Sequence, residues 1–298
     1  MSATHDDPST PHPASSAPDD RRSRAGARVT NAVVHAFTLR APTAASEGAR
    51  PPAIRTGSHG PAAMAGPAEV AASGPVPKKP YQVLRTTQVD EYDPPVAPSA
   101  VPLTSAPVGD NFAGTARKAA KLSISSAAVE QFEDVADLIA SLPDHQAMVN
   151  HHPRITTASN ARRVHEEDRN VRVRAWIYAA SRESDNDFHL IVGRDPAAPP
   201  QYITMEISGL PPANSPHSKR LKRARRDYKS FFQQSDGGLP HTSYDFYQPP
   251  VPVEIEGSLF FDMSHASGGR PGPQDLRPDM PVVWEVHPVS AILFEPDP

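Results

Sequence analysis

Cysteine is missing from the whole chain, which removes disulfides, thiolate metal ligands and a cysteine nucleophile from consideration. Aromatic residues are scarce, at 6%, and apolar residues reach only 38%, below the roughly 45–50% of an ordinary globular chain. A single packed core spanning all 298 residues is not expected. No apolar run approaches the roughly 20 residues that cross a bilayer, so no membrane span is expected. The polar start, MSATHDDPST, has no apolar stretch behind it of the kind a secretory signal needs. A soluble, cytoplasmic protein is the resulting expectation. The net charge of −4 is too small to call by itself for a polyanionic partner. There is also no P-loop, glycine-rich dinucleotide loop or Ser/His/Asp spacing that would name an enzyme class.

What the chain has in excess is proline, at 36 residues, more than double the usual share of about 5%. Together with Ala, Ser and Gly it dominates residues 1–112. Such a segment buries too little apolar surface to offset its ordering entropy and reads as disordered. Two slightly apolar stretches interrupt it, NAVVHAFTLR (31–40) and YQVLRTTQVDEY (81–92). Both read first as linker, with an added strand or a protein-partner segment as the alternative.

The texture changes at residues 113–145. Val129, Phe132, Val135, Leu138 and Ile139 recur at helical spacing, with Ser125 or Ser126 as a cap and Pro143 as a stop. One amphipathic helix and a linker are expected there. From about residue 168 the pattern is β. Val171, Val173, Ala175 and Ile177 alternate with Arg172, Arg174, Trp176 and Tyr178. DFHLIVGR and QYITMEIS follow as two more strands. Next comes a helix from about Pro216, with Leu221, Ala224, Tyr228 and Phe231 or Phe232 on one side. VPVEIEGSLFFD and VVWEVHPVSAI supply the last two strands. Three strands, a helix and two strands is the order of a five-stranded OB-fold-like Greek-key barrel, expected over residues 146–298. Gly257 falls mid-strand, where such barrels bend. Pro288 predicts a bulge, an edge or a sheet corner.

Three histidines have carboxylates close by in sequence. Asp187 and His189 share a strand face, as do Glu285 and His287, while His265 lies three residues after Asp262. A carboxylate orients an imidazole and raises its basicity, which suits metal ligation or general acid–base chemistry. The candidate catalytic residues are accordingly His265, His287, Glu285 and Asp262, and Asp185, Asp187 and His189 are candidate metal ligands. A hydrogen-bonded structural lock explains the same residues and is the commoner outcome. The spacing matches no established metal motif.

Two further surfaces qualify. KRLKRARRDYK carries seven basic side chains against one acid, so Lys219, Arg220, Lys222, Arg223 and Arg226 are candidate phosphate contacts for nucleic acid or another polyanion. The rest of the domain is acidic, so any polyanion would meet this one stripe. The usual ligand face of the barrel would offer Tyr202, Thr204 and Glu206, with Arg172, Arg174 and Trp176 alongside for stacking on bases or sugars. The acidic loop Glu183, Asp185, Asp187 beside it repels phosphate and suits a cation or a neutral ligand.

DNDFHLIV, GSLFFDMSH and WEVHPVSAI together resemble a largely uncharacterised family of small bacterial domains. In that family a D-x-D-[FY]-H-L strand is paired with an F-F-D-x-x-H strand end and a final E-x-H-P-V strand. The likeness covers residues 168–296 and brings forward Asp185, Asp187, His189, Asp262, His265, Glu285 and His287. The long basic helix and the proline-rich front depart from the pattern. The resemblance implies the barrel and leaves two function classes. The preferred one is a non-catalytic binding module for single-stranded nucleic acid, an oligosaccharide or a protein. The alternative is a metal-dependent hydrolase, such as a phosphodiesterase or nuclease, built on the His/Asp/Glu corner. The cofactor is unspecified.

Overall fold

A computed structural model of the chain describes residues 32–40, 74–103, 109–266 and 268–297. The expected alternating segments form strands: β4 (Asn170–Arg182), β5 (Phe188–Gly193), β6 (Tyr202–Ile207), β7 (Asp245–Phe261) and β8 (Trp284–Phe294). Three more strands precede them: β1 (Val33–Leu39), β2 (Tyr81–Thr86) and β3 (Val129–Phe132). The result is one mixed eight-stranded sheet in the order β1-β2-β7-β8-β6-β5-β4-β3, with β7 also paired to β4. The expectation of five strands in a regular barrel is therefore corrected. Within the sheet, β4–β5, β5–β6, β6–β8, β8–β7 and β7–β4 pairings close a circuit, and β6–β8 is its one parallel step.

The front segment is also corrected. Both weakly apolar stretches are strands, because β2 pairs antiparallel with the start of β7 and β1 pairs with β2. Tyr81, Val83 and Leu84 bury their side chains there. Apolar area removed from water, at about 25 cal/mol per Å2, is what holds such short strands in place. The disorder expected for residues 1–31 and 41–73 lies outside the described residues.

The single helix expected over 113–142 is replaced by α1 (Lys118–Lys121), β3 and α2 (Val135–Ala140), with α3 (His145–Val149) after them. Val129 and Phe132 pair in parallel with β4 instead of lying on a helix. Their β-branched and aromatic side chains fit a pleated edge. The cap is Asp134, whose side chain accepts from the Ala136 N–H at 2.6 Å. Ser125 is occupied elsewhere, donating to Asp168 at 2.6 Å.

α4 (Ser218–Phe232) forms as the periodicity predicts, and Leu221, Ala224, Tyr228, Phe231 and Phe232 are all buried. It packs on β8 through Phe231 stacked on Phe294, with ring centroids 4.0 Å apart. This apolar face joins the inward residues of the strand circuit, Val171, Val173, Leu190, Val192, Met205, Val253, Ile255, Val286 and Val289, in one core. The residues between them face outward, and this alternation delivers the polar side chains of β5, β6 and β8 to the opposite face.

Near Pro288 the β7–β8 ladder shifts register on both sides of Gly257. A Cβ at Gly257 would lie 2.5 Å from the Pro288 carbonyl oxygen, so the close approach requires glycine. The bulge expected at Pro288 is thus present.

Candidate functional site

The outward face of β5, β6 and β8 carries His189, Thr204, Glu206, Glu285 and His287, all buried. Their meeting follows from register. His189 is paired with Glu206 across β5 and β6, and Thr204 with Glu285 and Met205 with Val286 across β6 and β8, which sets Glu206 beside His287. Loops cover the face and add Asp90, Glu183, Asp187, Asp262 and His265, and the end of α1 adds Lys121.

Three groups result, each of one histidine and two carboxylates, lying along one layer: Asp90, Glu183 and His189; Asp187, Glu206 and His287; Asp262, His265 and Glu285. In the first, His189 Nδ1 donates to Glu183 at 2.6 Å and lies 3.9 Å from Asp90. Asp90 in turn accepts from the Tyr244 hydroxyl at 2.7 Å and from the Gly272 N–H at 2.6 Å. In the second, His287 Nδ1 is 2.7 Å from Glu206 and its Nε2 is 3.3 Å from Asp187. In the third, His265 Nδ1 donates to Asp262. Glu206 bridges the first two groups, standing 3.6 Å from His189. Glu285 joins the second and third, at 3.6 Å from His287.

Charge in so enclosed a place is redistributed. Burial alone would lower His189, but the Asp90 and Glu183 carboxylates outweigh it and hold it well above the usual imidazole range. Burial is likewise outweighed at His287 by Glu206. Burial also opposes the charge of His265, yet the Asp262 hydrogen bond and charge push it up to about 9. Glu206 is driven well below the carboxylate range, against its burial, by His287 and Lys121. In each group one carboxyl goes the other way. Burial raises Glu183, lifts Asp187 to about 7 and, with Glu206 beside it, lifts Glu285 to about 8. Each group thus pairs a strongly basic histidine with a carboxyl that keeps its proton unusually long.

A pocket of about 160 Å3 opens onto this layer. Its wall includes Arg117, Lys121, Glu183, Glu206, Asp262 and His265. Lys121 Nζ pairs with Asp185 at 3.2 Å and faces Glu206 and Asp187 at 3.9 and 4.0 Å. Arg117 makes a two-point ion pair with buried Glu167, at 2.6 and 2.7 Å.

The sequence candidates are distributed unevenly. Asp262, His265, Glu285 and His287 all lie in the layer, but His265 and His287 belong to different groups. The three candidate metal ligands Asp185, Asp187 and His189 face different partners, Lys121, His287 and Glu183 respectively. Tyr202 and Thr204 are buried, Tyr202 edge-on against Tyr178 at 4.9 Å and Thr204 Oγ1 3.3 Å from His189 Nε2. β6 therefore presents no open stacking platform. Arg172 is tied to Glu256 and Glu254, and Arg174 reaches the backbone oxygen of Asp297. On α4, Lys219, Arg220, Lys222, Arg223 and Arg226 are exposed; Arg220 pairs with Glu256, and Arg223 and Arg226 with Asp227.

Sequence reasoning missed Glu206 as a hub and missed Asp90 and Lys121 altogether. The alternation of Tyr202, Thr204 and Glu206 on one face was the available signal for the first; nothing local marks the other two. Among the described residues, no helix is long and apolar enough to cross a membrane. No protein-family model matches the chain, and no curated protein or solved structure matches it.

Proposed function

We propose that the chain is a metal-dependent hydrolase acting on small ester or phosphodiester groups that enter the pocket. The observation that carries this reading is the Asp262–His265 pair, which stands on the pocket wall with Lys121, Glu183 and Glu206 around it. A carboxylate-held imidazole on an accessible wall is equipped to give or take a proton. His265 retains its proton at neutral pH and is therefore assigned as general acid toward the leaving oxygen. A divalent metal would supply activated water. The reading takes the five-strand circuit as an OB-fold-like barrel, in keeping with the bacterial domains that the DNDFHLIV, GSLFFDMSH and WEVHPVSAI segments resemble, and groups the chain with them. Such barrels use the outer face of their second and third strands for ligands, and His189, Thr204 and Glu206 stand on that face here.

The test is turnover of bis(p-nitrophenyl) phosphate by the full chain with Mn2+ or Zn2+. Release of p-nitrophenolate that disappears in His265→Ala, with circular dichroism unchanged, supports the reading. Absence of turnover with either metal at neutral and alkaline pH refutes it.

A second reading, a polyanion-binding module, draws on α4. Its five exposed basic side chains form a surface separate from the pocket, and no described carboxylate pairs with Lys219 or Lys222. A salt-sensitive shift of fluorescence anisotropy with labelled oligo(dT) would support it.

A further inference from the structure

The cation that a hydrolase here calls for has a specific place in the layer. We propose that Asp187, Glu206 and His287 together bind one divalent transition-metal ion. The assignment deepens the hydrolase reading and rests on it only for the ion's task.

The three side chains come from the turn before β5, from β6 and from β8, and each is fully buried or nearly so. Asp187 Oδ2, Glu206 Oε2 and both ring nitrogens of His287 are buried and make no hydrogen bond. They are nonetheless close, with His287 Nε2 3.3 Å from Asp187 Oδ2 and Nδ1 2.7 Å from Glu206 Oε2. One ligand atom from each residue fits within a 4.8 Å span. Buried polar atoms normally find partners. An imidazole gives one ion a single nitrogen, and Nδ1 and Nε2 point apart, so the ion would take His287 through Nε2 beside Asp187 Oδ2, with the Glu206 carboxylate turning from Nδ1 to complete the set. Two donors each about 2.1 Å from a shared tetrahedral ion stand about 3.4 Å apart, which is the Asp187–His287 spacing.

The remaining oxygens are held from behind. Asp187 Oδ1 accepts from the Gly209 N–H at 2.6 Å, and Glu206 Oε1 faces His189 at 3.6 Å. Asp187 thus has one oxygen fixed by a backbone hydrogen bond and the other turned toward His287, the pattern by which outer contacts orient ligands. One imidazole with two carboxylates selects an ion of the Zn2+ or Mn2+ type. Glu206 also lines the pocket, so the ion would border the space where substrate enters.

Lys121 sets the affinity. Its ammonium lies 4.0 Å from Asp187 Oδ2 and 3.9 Å from Glu206 Oε2, the same two oxygens. It acts as a built-in counterion that an arriving metal must work against.

The experiment uses the EDTA-treated full chain, with calorimetric titration and thermal shift against Zn2+ and Mn2+. The expected result is one bound ion per chain and a Tm that rises with metal concentration. His287→Ala and Asp187→Asn lose both responses, His265→Ala keeps them, and Lys121→Met tightens binding by about tenfold or more. Should the loss variants fail to fold, Lys121→Met still decides, since weaker or unchanged affinity overturns the assignment. Absence of binding by both metals, or binding that survives in folded His287→Ala, overturns it too. Binding without turnover removes the hydrolase reading and leaves the ion site. Turnover with no ion bound removes the site.

Discussion

His189 and Glu206 face each other as direct partners across two antiparallel strands, with 3.6 Å between Nδ1 and Oε1. The other oxygen of the same carboxylate lies 2.7 Å from His287. One buried negative charge therefore acts on two imidazoles, adding to Asp90 and Glu183 at His189 and leading at His287. Glu206→Gln keeps the shape and removes the charge. In the metal-free protein, both His189 and His287 are expected to lose their protons at lower pH in this variant. Imidazole proton shifts in NMR titrations read both at once. Movement of only one histidine would refute the shared role.

The Asp262–His265 pair gives a pH dependence whose sign can be worked out. The folded value of His265, about 9, lies above the ordinary value of about 6.5. Its contribution to stability is complete below about pH 6.5 and is lost as pH rises through about 9. Turnover that needs the protonated ring falls over the same upper limb. Asp262→Asn removes the carboxylate charge and moves that limb down toward the ordinary histidine range. An alkaline limb identical in wild type and Asp262→Asn would argue against the pair.

Arg85 ties the front segment to the sheet. Its Nε and Nη2 each lie 2.8 Å from an oxygen of Asp245, and both side chains are buried. Arg85→Ala leaves Asp245 buried and uncompensated, a change that costs about 3–5 kcal/mol. Urea denaturation should show a midpoint lowered accordingly. A decrease below about 1 kcal/mol would mean that β2 contributes little to the folded unit.

The exposed face of α4 behaves differently. Neutralising Lys219, Lys222 and Arg223 to Gln should leave stability within about 0.5 kcal/mol per site. The same changes should reduce the salt slope of oligo(dT) binding by about one for each phosphate that is no longer neutralised. An unaltered slope would take polyanion binding away from this helix.

At Gly257 the prediction is steric. Gly257→Ala places a methyl 2.5 Å from the Pro288 carbonyl and 2.6 Å from Val286 Cγ1. Overpacking of this kind costs about 1–3 kcal/mol. Thermal melts of the variant provide the measurement.

The strands and the helix of the C-terminal half were readable because their inward residues alternate or recur without a break, as Val171 to Ile177 and Leu221 to Phe232 do. Glu285 and His287 were readable as one polar patch for the same reason. The helix expected around Val129 failed because apolar spacing alone does not separate a strand followed by a short helix from one longer helix; the Asp134 cap made the division. β1 and β2 escaped because weakly apolar strands are stabilised by a partner far along the chain, and sequence shows only the near side of that pairing. Asp90 and Lys121 were invisible for the same reason: each enters the layer through tertiary folding, with no neighbouring residue to announce it.

The paired register shifts around Gly257 carry a consequence for descent and design. Along β8 the inward positions run Trp284, Val286, then Val289, then Ile292 and Phe294, so even numbers give way to odd and then return. The strand has in effect a reading frame that is shifted once and restored. Deleting a single residue between Pro288 and Ala291 would leave it unrestored. Glu285 and His287 would then turn into the hydrocarbon interior while Trp284 and Val286 turned out. Insertions and deletions in this stretch are thus tolerable only in compensating pairs, whatever residues they add or remove.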